Sequence, residues 1–193
     1  MKTDHSERAK ALELLDTTLR DGAQAEGISF SVRDKLAIVK ALDGLGIPLI
    51  EAGNPGSNPK DLEFFEAVKS LKLNQSVICS FGATRRPHTA VQSDPQVCSL
   101  LAAGTAVTVI FGKSWTLHVR EVLGVTWEEN LAMITESVEY LREHGMEVIY
   151  DAEHFYQGFQ EDPEMALASV EAAWRAGARV VVLADTNGGT PPH

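Results

Sequence analysis

Short apolar runs alternate with longer amphipathic stretches along this chain. The runs "ALELLDTT", "IPLIEAG", "SVICSFG", "AVTVIFG", "MEVIYDAEHF" and "ARVVVLADT" are brief, mostly rich in β-branched residues, and close on polar positions, so six strands are expected. Between strands, "SVRDKLAIVKALDGLG" carries apolar residues at Leu36, Val39, Leu42 and Leu45, and "TWEENLAMITESVEYLREHG" at Leu131, Ile134, Val138 and Leu141. That spacing predicts two helices, each with one buried stripe.

The punctuation agrees. Thr126 with Glu129 spells a T-x-x-E capping box, and Asp94-Pro95 and Asp162-Pro163 each set a capping acid before a proline suited to a first helical turn. Gly46, Gly104, Gly145 and Gly177 stop helices, each shortly before the next apolar run. The βα unit recurs without linker or low-complexity segment, so a single α/β domain is expected over residues 1–193.

Nearly continuous apolar strands imply a parallel sheet covered on both faces, either an open doubly wound sheet or a (β/α)8 barrel. The segments "DTTLRDG", "EAGNPGSNP", "FGATRRP", "FGKSWTLH", "DAEHFYQG" and "ADTNGG" all fall at carboxyl ends of strands. In a barrel these ends meet at one mouth, whereas an open sheet would gather only those beside its switch point. Six polar ends favour the barrel. Six strands cannot close an eight-stranded ring, so the expectation is an incomplete TIM barrel of about six βα units, truncated after the sixth strand.

Composition narrows the function. A formal charge of -10 argues against a sequence-independent grip on nucleic acid, and "TRRP" at 84–87, the nearest approach to a basic patch, reads as a solvated loop. Cys79 and Cys98 form no metal-type spacing and read as reduced and buried. No run approaches a membrane span and the start "MKTDHSERAK" lacks the core of a secretion signal, so a cytoplasmic protein without membrane partner is expected. Dinucleotide, P-loop, zinc-protease and serine-hydrolase signatures are absent.

The strand ends hold the candidate chemistry. In "DTTLRDG" a guanidinium, Arg20, adjoins a carboxylate, Asp21. The acid suits a divalent ion and the cation suits a carboxylate or enolate oxygen; a strand-end salt bridge is the competing reading. In "YDAEHF", Asp151 and Glu153 should share one face of a strand, with Tyr150 and His154 on the other. Acids there must be solvated, paired or metal-bound. Thr186 in "LADTNGG" could donate to a substrate carboxylate, and Lys113 and His118 in "FGKSWTLH" could receive an acid or thioester, although such loop residues are often only solvated.

Together "LDTTLRDGAQ", "EAGNPGSNPKD", "FGKSWTLHV", "EVIYDAEHF" and "LADTNGGT" resemble the acyl-CoA-condensing, metal-dependent barrels of the DRE-TIM metallolyase family: isopropylmalate, homocitrate and citramalate synthases. "FGKSW", "YDAEHF" and "DTNGG" are most similar to the citramalate branch. The resemblance implies Claisen-type condensation of acetyl-CoA with pyruvate to (R)-citramalate, in isoleucine biosynthesis, with a divalent metal ion (Mn2+, Mg2+ or Zn2+). Isopropylmalate or homocitrate synthesis, a C–C lyase and a non-catalytic remnant are the alternatives.

By the same resemblance Asp21 would bind the metal, Arg20 would stabilise charge on the oxo acid or enolate, and Glu153 would assist enolisation. Thr186 would bind the oxo acid's carboxylate, Gln24 would support the site, and Lys113 and His118 would join substrate binding. The family's His-x-His pair on a seventh strand and its C-terminal domains have no counterpart in this sequence, and His193 does not match the pair. A homodimer is expected of the full-length protein.

Overall fold

The computed structural model describes residues 12–57 and 59–191. The polar start, Ala11 of the first apolar run, Asn58, and the closing Pro192 and His193 lie outside the described residues. Six strands form one sheet: β1 Leu15–Asp16, β2 Leu49–Glu51, β3 Val77–Ala83, β4 Val107–Lys113, β5 Glu147–Glu153 and β6 Val180–Leu183. All pairings are parallel, in the order β1-β2-β3-β4-β5-β6.

That order has no switch point, which removes the doubly wound alternative. Curvature confirms the barrel type. In a flat sheet β1 and β6 would stand about 24 Å apart, at about 4.8 Å per strand. Yet Arg179, immediately before β6, donates from Nη2 to both carboxylate oxygens of Glu13, just before β1, at 2.7 and 2.6 Å. Arg179 also meets Glu147 at the start of β5, 3.3 Å away. The sheet therefore curls until its first and last strands share an ion cluster at their amino ends.

Helices α1 Val32–Leu45, α2 Pro59–Val68, α3 Pro95–Ala103, α5 Trp127–Glu143 and α7 Pro163–Arg175 cover the outside of the arc. Between α3 and α5, α4 (Thr116–His118) runs into a π-turn at Val119–Leu123; α6 (Phe155–Glu161) follows β5. Strand alternation divides the core. Ile110, Val148, Tyr150 and Ala152 face the helices with Ile134, Val138 and Leu141 of α5, while Cys79, Phe81, Val107, Val109 and Ile149 fill the barrel interior.

The caps show which local signals survive packing. Asp94 accepts from the amides of Gln96 and Val97, and Asp162 from that of Met165. Thr126 accepts from the Glu129 amide at 3.3 Å, but Glu129 does not return the bond. Its carboxylate instead takes Arg85 Nη1 at 2.8 Å and the His88 amide at 3.0 Å, because a charged partner is a stronger donor than an exposed cap amide. The reciprocal box forms at Ser31 and Asp34 of α1.

Three further expectations are corrected. "TRRP" is not simply a solvated loop: Arg85 is buried, its Nε donating to Glu136 at 2.6 Å and its amide to Ser137 Oγ at 2.8 Å, and only Arg86 is exposed. Cys79 is buried, but Cys98 is exposed on α3, on the side opposite its core residues Val97 and Leu100. Leu45, the last position of the α1 stripe, is also exposed, because the helix ends there and Gly46 turns away with φ 80. Both cysteines are free thiols.

Candidate active site

The first strand ends in a tight turn whose hub is one carbonyl. Thr17 O accepts from the amides of Arg20, Asp21 and Gly22 at 3.1, 2.8 and 3.1 Å. The turn buries Leu19 among the helix-side residues Val39, Phe64 and Phe65 and sends Arg20 toward the barrel. There the Arg20 guanidinium lies on the Phe81 ring, its Cζ 3.9 Å from the centroid. Nε donates to Glu51 Oε2 at 2.5 Å and Nη1 to Asp21 Oδ1 at 2.9 Å. Nη2 makes no hydrogen bond among the described residues and is available to a ligand.

A cavity of about 450 Å³ opens on this arginine. Besides Arg20 it is lined by Asp21 and Gln24 from the first turn, Asp151 and Glu153 from β5, and Thr186 beyond β6, with Phe81 and Phe111 at its side. Those two rings stack, centroids 5.4 Å apart at 20°. Alternation on β5 brings both acids inward, as the sequence implied. Tyr150 does face the other way, but His154 has already left the strand, in a left-handed conformation with φ 56.

Burial governs the electrostatics. Glu51 is 1% exposed, and loss of water pushes its carboxyl up to about 7 although Arg20 opposes the shift. Asp151 is pushed up to about 6, again chiefly by burial, with Glu153 and Asp21 adding repulsion against the pull of Arg20. Its Oδ1 is buried and has no hydrogen-bond partner among the described residues. Glu153 accepts from Lys113 Nζ, a half-buried ion pair joining β5 to β4. Asn130 of α5 donates to the Lys113 carbonyl at 2.9 Å and so fixes the end of β4.

Arg20, Asp21, Gln24, Glu153 and Thr186 thus converge, with Lys113 at the edge of the group. His118 does not join them. The chain leaves β4 after Lys113 and winds into α4, where His118 does not line the cavity but packs with Trp115 and edge-on against His154, ring centroids 4.7 and 4.5 Å away. Burial, followed by the nearby His154 and Lys113, lowers its affinity for a proton. The sequence reading missed Glu51. The signal was present, since a carboxylate closing the apolar run "PLIE" needs a partner for the same reason as Glu153. Phe81 and Phe111 read only as core.

Hard oxygen donors are what a divalent cation requires, and Asp21, mostly exposed with Oδ2 free of Arg20, offers one. Asp151 adds a buried oxygen, unpartnered among the described residues, in the same cavity. These groups fit a metal in kind but not in number, because no three His, Cys, Asp or Glu side chains among the described residues form a metal-holding group.

The model of the HMGL-like family matches residues 11–193. The chain belongs to that family. An (R)-citramalate synthase from Sulfolobus acidocaldarius is 53% identical over 95% of this chain and 35% of its own length. A homocitrate synthase from Saccharolobus solfataricus is 34% identical over 91% of this chain and 36% of its own. The chain therefore spans about a third of the length of the curated relatives it matches. Among solved structures, hydroxymethylglutaryl-CoA lyase from Pseudomonas aeruginosa superposes with a TM-score of 0.73, covering 94% of this chain and 60% of that one at 20% identity, a likeness of fold. No helix among the described residues is long and apolar enough to cross a membrane.

Proposed function

We propose that this chain is the amino-terminal part of the catalytic barrel of an (R)-citramalate synthase, which joins acetyl-CoA to pyruvate and releases free CoA. The observation that carries the reading is the convergence of Arg20, Glu153 and Thr186 on one cavity, in a chain 53% identical to a citramalate synthase. The lower identity to a homocitrate synthase, 34%, favours pyruvate over a longer oxo diacid. The stacked Phe81 and Phe111 add apolar surface at the side of the cavity, which suits a methyl group.

The residues divide the work by charge. Thr186 would hold the oxo acid's carboxylate, and Arg20 Nη2 would stabilise the charge that grows on its carbonyl oxygen. Glu153, steadied by its ion pair with Lys113, would accept a proton from the acetyl methyl group. The resulting carbanion forms the new C–C bond at the carbonyl carbon, the oxygen becomes a hydroxyl on gaining a proton, and water cleaves the thioester to release CoA. A divalent ion, when bound, would polarise the oxo acid as a Lewis acid; Asp21 would supply one ligand, with others expected from outside residues 1–193.

Thiol release and product mass, measured on the full-length protein with acetyl-CoA, test the proposal. Faster release with pyruvate than with 2-oxoisovalerate, and a product with the mass of citramalate, are expected. Equal or reversed preference would transfer the assignment to isopropylmalate synthesis. Loss of thiol release in Asp21→Asn, with weaker Mn2+ binding by titration, is expected on the same reading, and unchanged Mn2+ binding would remove Asp21 from the ligand set.

A further inference from the structure

His154 stands in a backbone state that few side chains adopt. Its φ of 56 and ψ of 33 are left-handed, and among the described residues only His88 shares a positive φ without being glycine. The left-handed region brings Cβ against the carbonyl; Gly and Asn accept it most readily and β-branched residues least. A residue in such a position is held there by what surrounds it.

The conformation has a consequence within the cavity. The His154 amide donates to Thr186 Oγ1 at 2.8 Å, and the left-handed dihedrals turn the chain beyond it away from the line of β5 and into α6, so that the peptide carrying this amide keeps its place at the end of the strand. A hydroxyl owns one hydrogen, and an N–H pointed at its oxygen leaves that hydrogen to turn elsewhere. Thr186 lines the cavity and His154 does not. The imidazole is directed away, edge-on to His118, with Nδ1 buried and without a partner among the described residues. The backbone, and not the ring, therefore reaches the site.

We infer that His154 is a positioning residue: by accepting the left-handed turn it lets the chain leave β5 for α6 while its amide stays on Thr186, so that the threonine hydroxyl presents its hydrogen to the carboxylate of the bound 2-oxo acid. The ligand half of this inference rests on the function proposed above. The same turn follows directly on Glu153, so the residue that accepts the proton and the residue that orients the carboxylate are set by consecutive positions of one bend.

Two readouts on the full-length protein, with Mg2+ in every sample, separate the backbone from the ring: pyruvate affinity by isothermal titration, and hydrogen exchange of the residue-154 amide by NMR. His154→Asn and His154→Gly discard the imidazole but accept the left-handed backbone. They should bind pyruvate within about two-fold of the unsubstituted protein and keep a slowly exchanging amide. His154→Val should weaken pyruvate about ten-fold and expose the amide, and His154→Ala, the milder variant should valine prevent folding, about three-fold. Thr186→Val should reproduce His154→Val, while Thr186→Ser should not. Unaltered affinity in both His154→Ala and His154→Val, or losses in His154→Asn and His154→Gly as large as in His154→Val, would overturn the inference. An unsubstituted protein with a protected amide but no affinity for pyruvate would instead sink the proposed function and the ligand assigned here, leaving only the hydrogen bond.

Discussion

Arg20 is anchored by Glu51, whose Oε2 accepts from Nε at 2.5 Å while its side chain is almost wholly withdrawn from water. The pair fixes the guanidinium from behind, so that its free edge faces the cavity. Because burial raises the Glu51 carboxyl from 4.5 to about 7, the folded protein holds a proton there that the unfolded chain has lost across that window. Stability should therefore fall as pH rises from about 4.5 to 7. Glu51→Gln cannot ionise and should lack this fall. Urea melts should show the variant gaining on the parent by on the order of 3 kcal/mol between pH 4 and 8. Parallel curves would refute the buried ionisation.

The Lys113–Glu153 pair predicts a second result. Lys113→Met keeps the length of the side chain but removes its charge, leaving Glu153 without its cation. In the thiol-release assay kcat should fall about ten-fold with pyruvate KM nearly unchanged, whereas Glu153→Gln should lower kcat by about 100-fold or more. A rise in KM alone would mean that Lys113 binds substrate and does not steady the carboxylate.

Far from the cavity, Asp43 at the end of α1 accepts from the amides of Asn74, Gln75 and Ser76 at 2.9–3.0 Å. These bonds draw its carboxyl far below the usual range. A depressed acid contributes stability that is present above its unfolded value of 3.8 and lost as pH falls through the folded one. Asp43→Ala should lower the urea midpoint at pH 7, and its stability should decline less steeply below pH 4 than the parent's. An identical acid limb in the two proteins would dissociate Asp43 from that loss.

Gly158 lets α6 lie directly on the chain after β4. A Cβ there would stand 2.9 Å from Ser114 C and 3.0 Å from Trp115 Cα, both backbone atoms with nowhere to go. Gly158→Ala should cost about 3 kcal/mol and lower the melting temperature by roughly 6–12 °C. A melting point within 2 °C of the parent, by calorimetry, would show that the helix shifts freely.

Most of the architecture was legible because it rests on local rules. Alternation gave six strands, and Asp94 and Asp162 cap where an acid precedes proline. Legibility failed where a charged group had a choice of partners. Glu129 left its cap for Arg85, which in turn drew a loop arginine inside, and neither choice is written in the spacing of either residue. The site divides in the same way. Arg20, Asp21, Gln24, Glu153 and Thr186 follow from lying just beyond, or closing, strands that converge. His118, five residues past Lys113, depends on how α4 winds, and Glu51 was hidden by its own apolar run although the cost of burying an acid should have exposed it.

The bond between Glu13 and Arg179 acts as a bowstring on the sheet. A chord fastened between the first and last strands spans the arc at its amino-terminal rim, while the reacting groups occupy the opposite rim. Loops at the carboxyl ends can then be exchanged, and with them the shape of the acid that is accepted, without altering the bend that brings them together. The string is also partly wet, its two side chains 37% and 38% exposed, so concentrated salt should slacken the bow before it disturbs the better-buried arginine at the mouth.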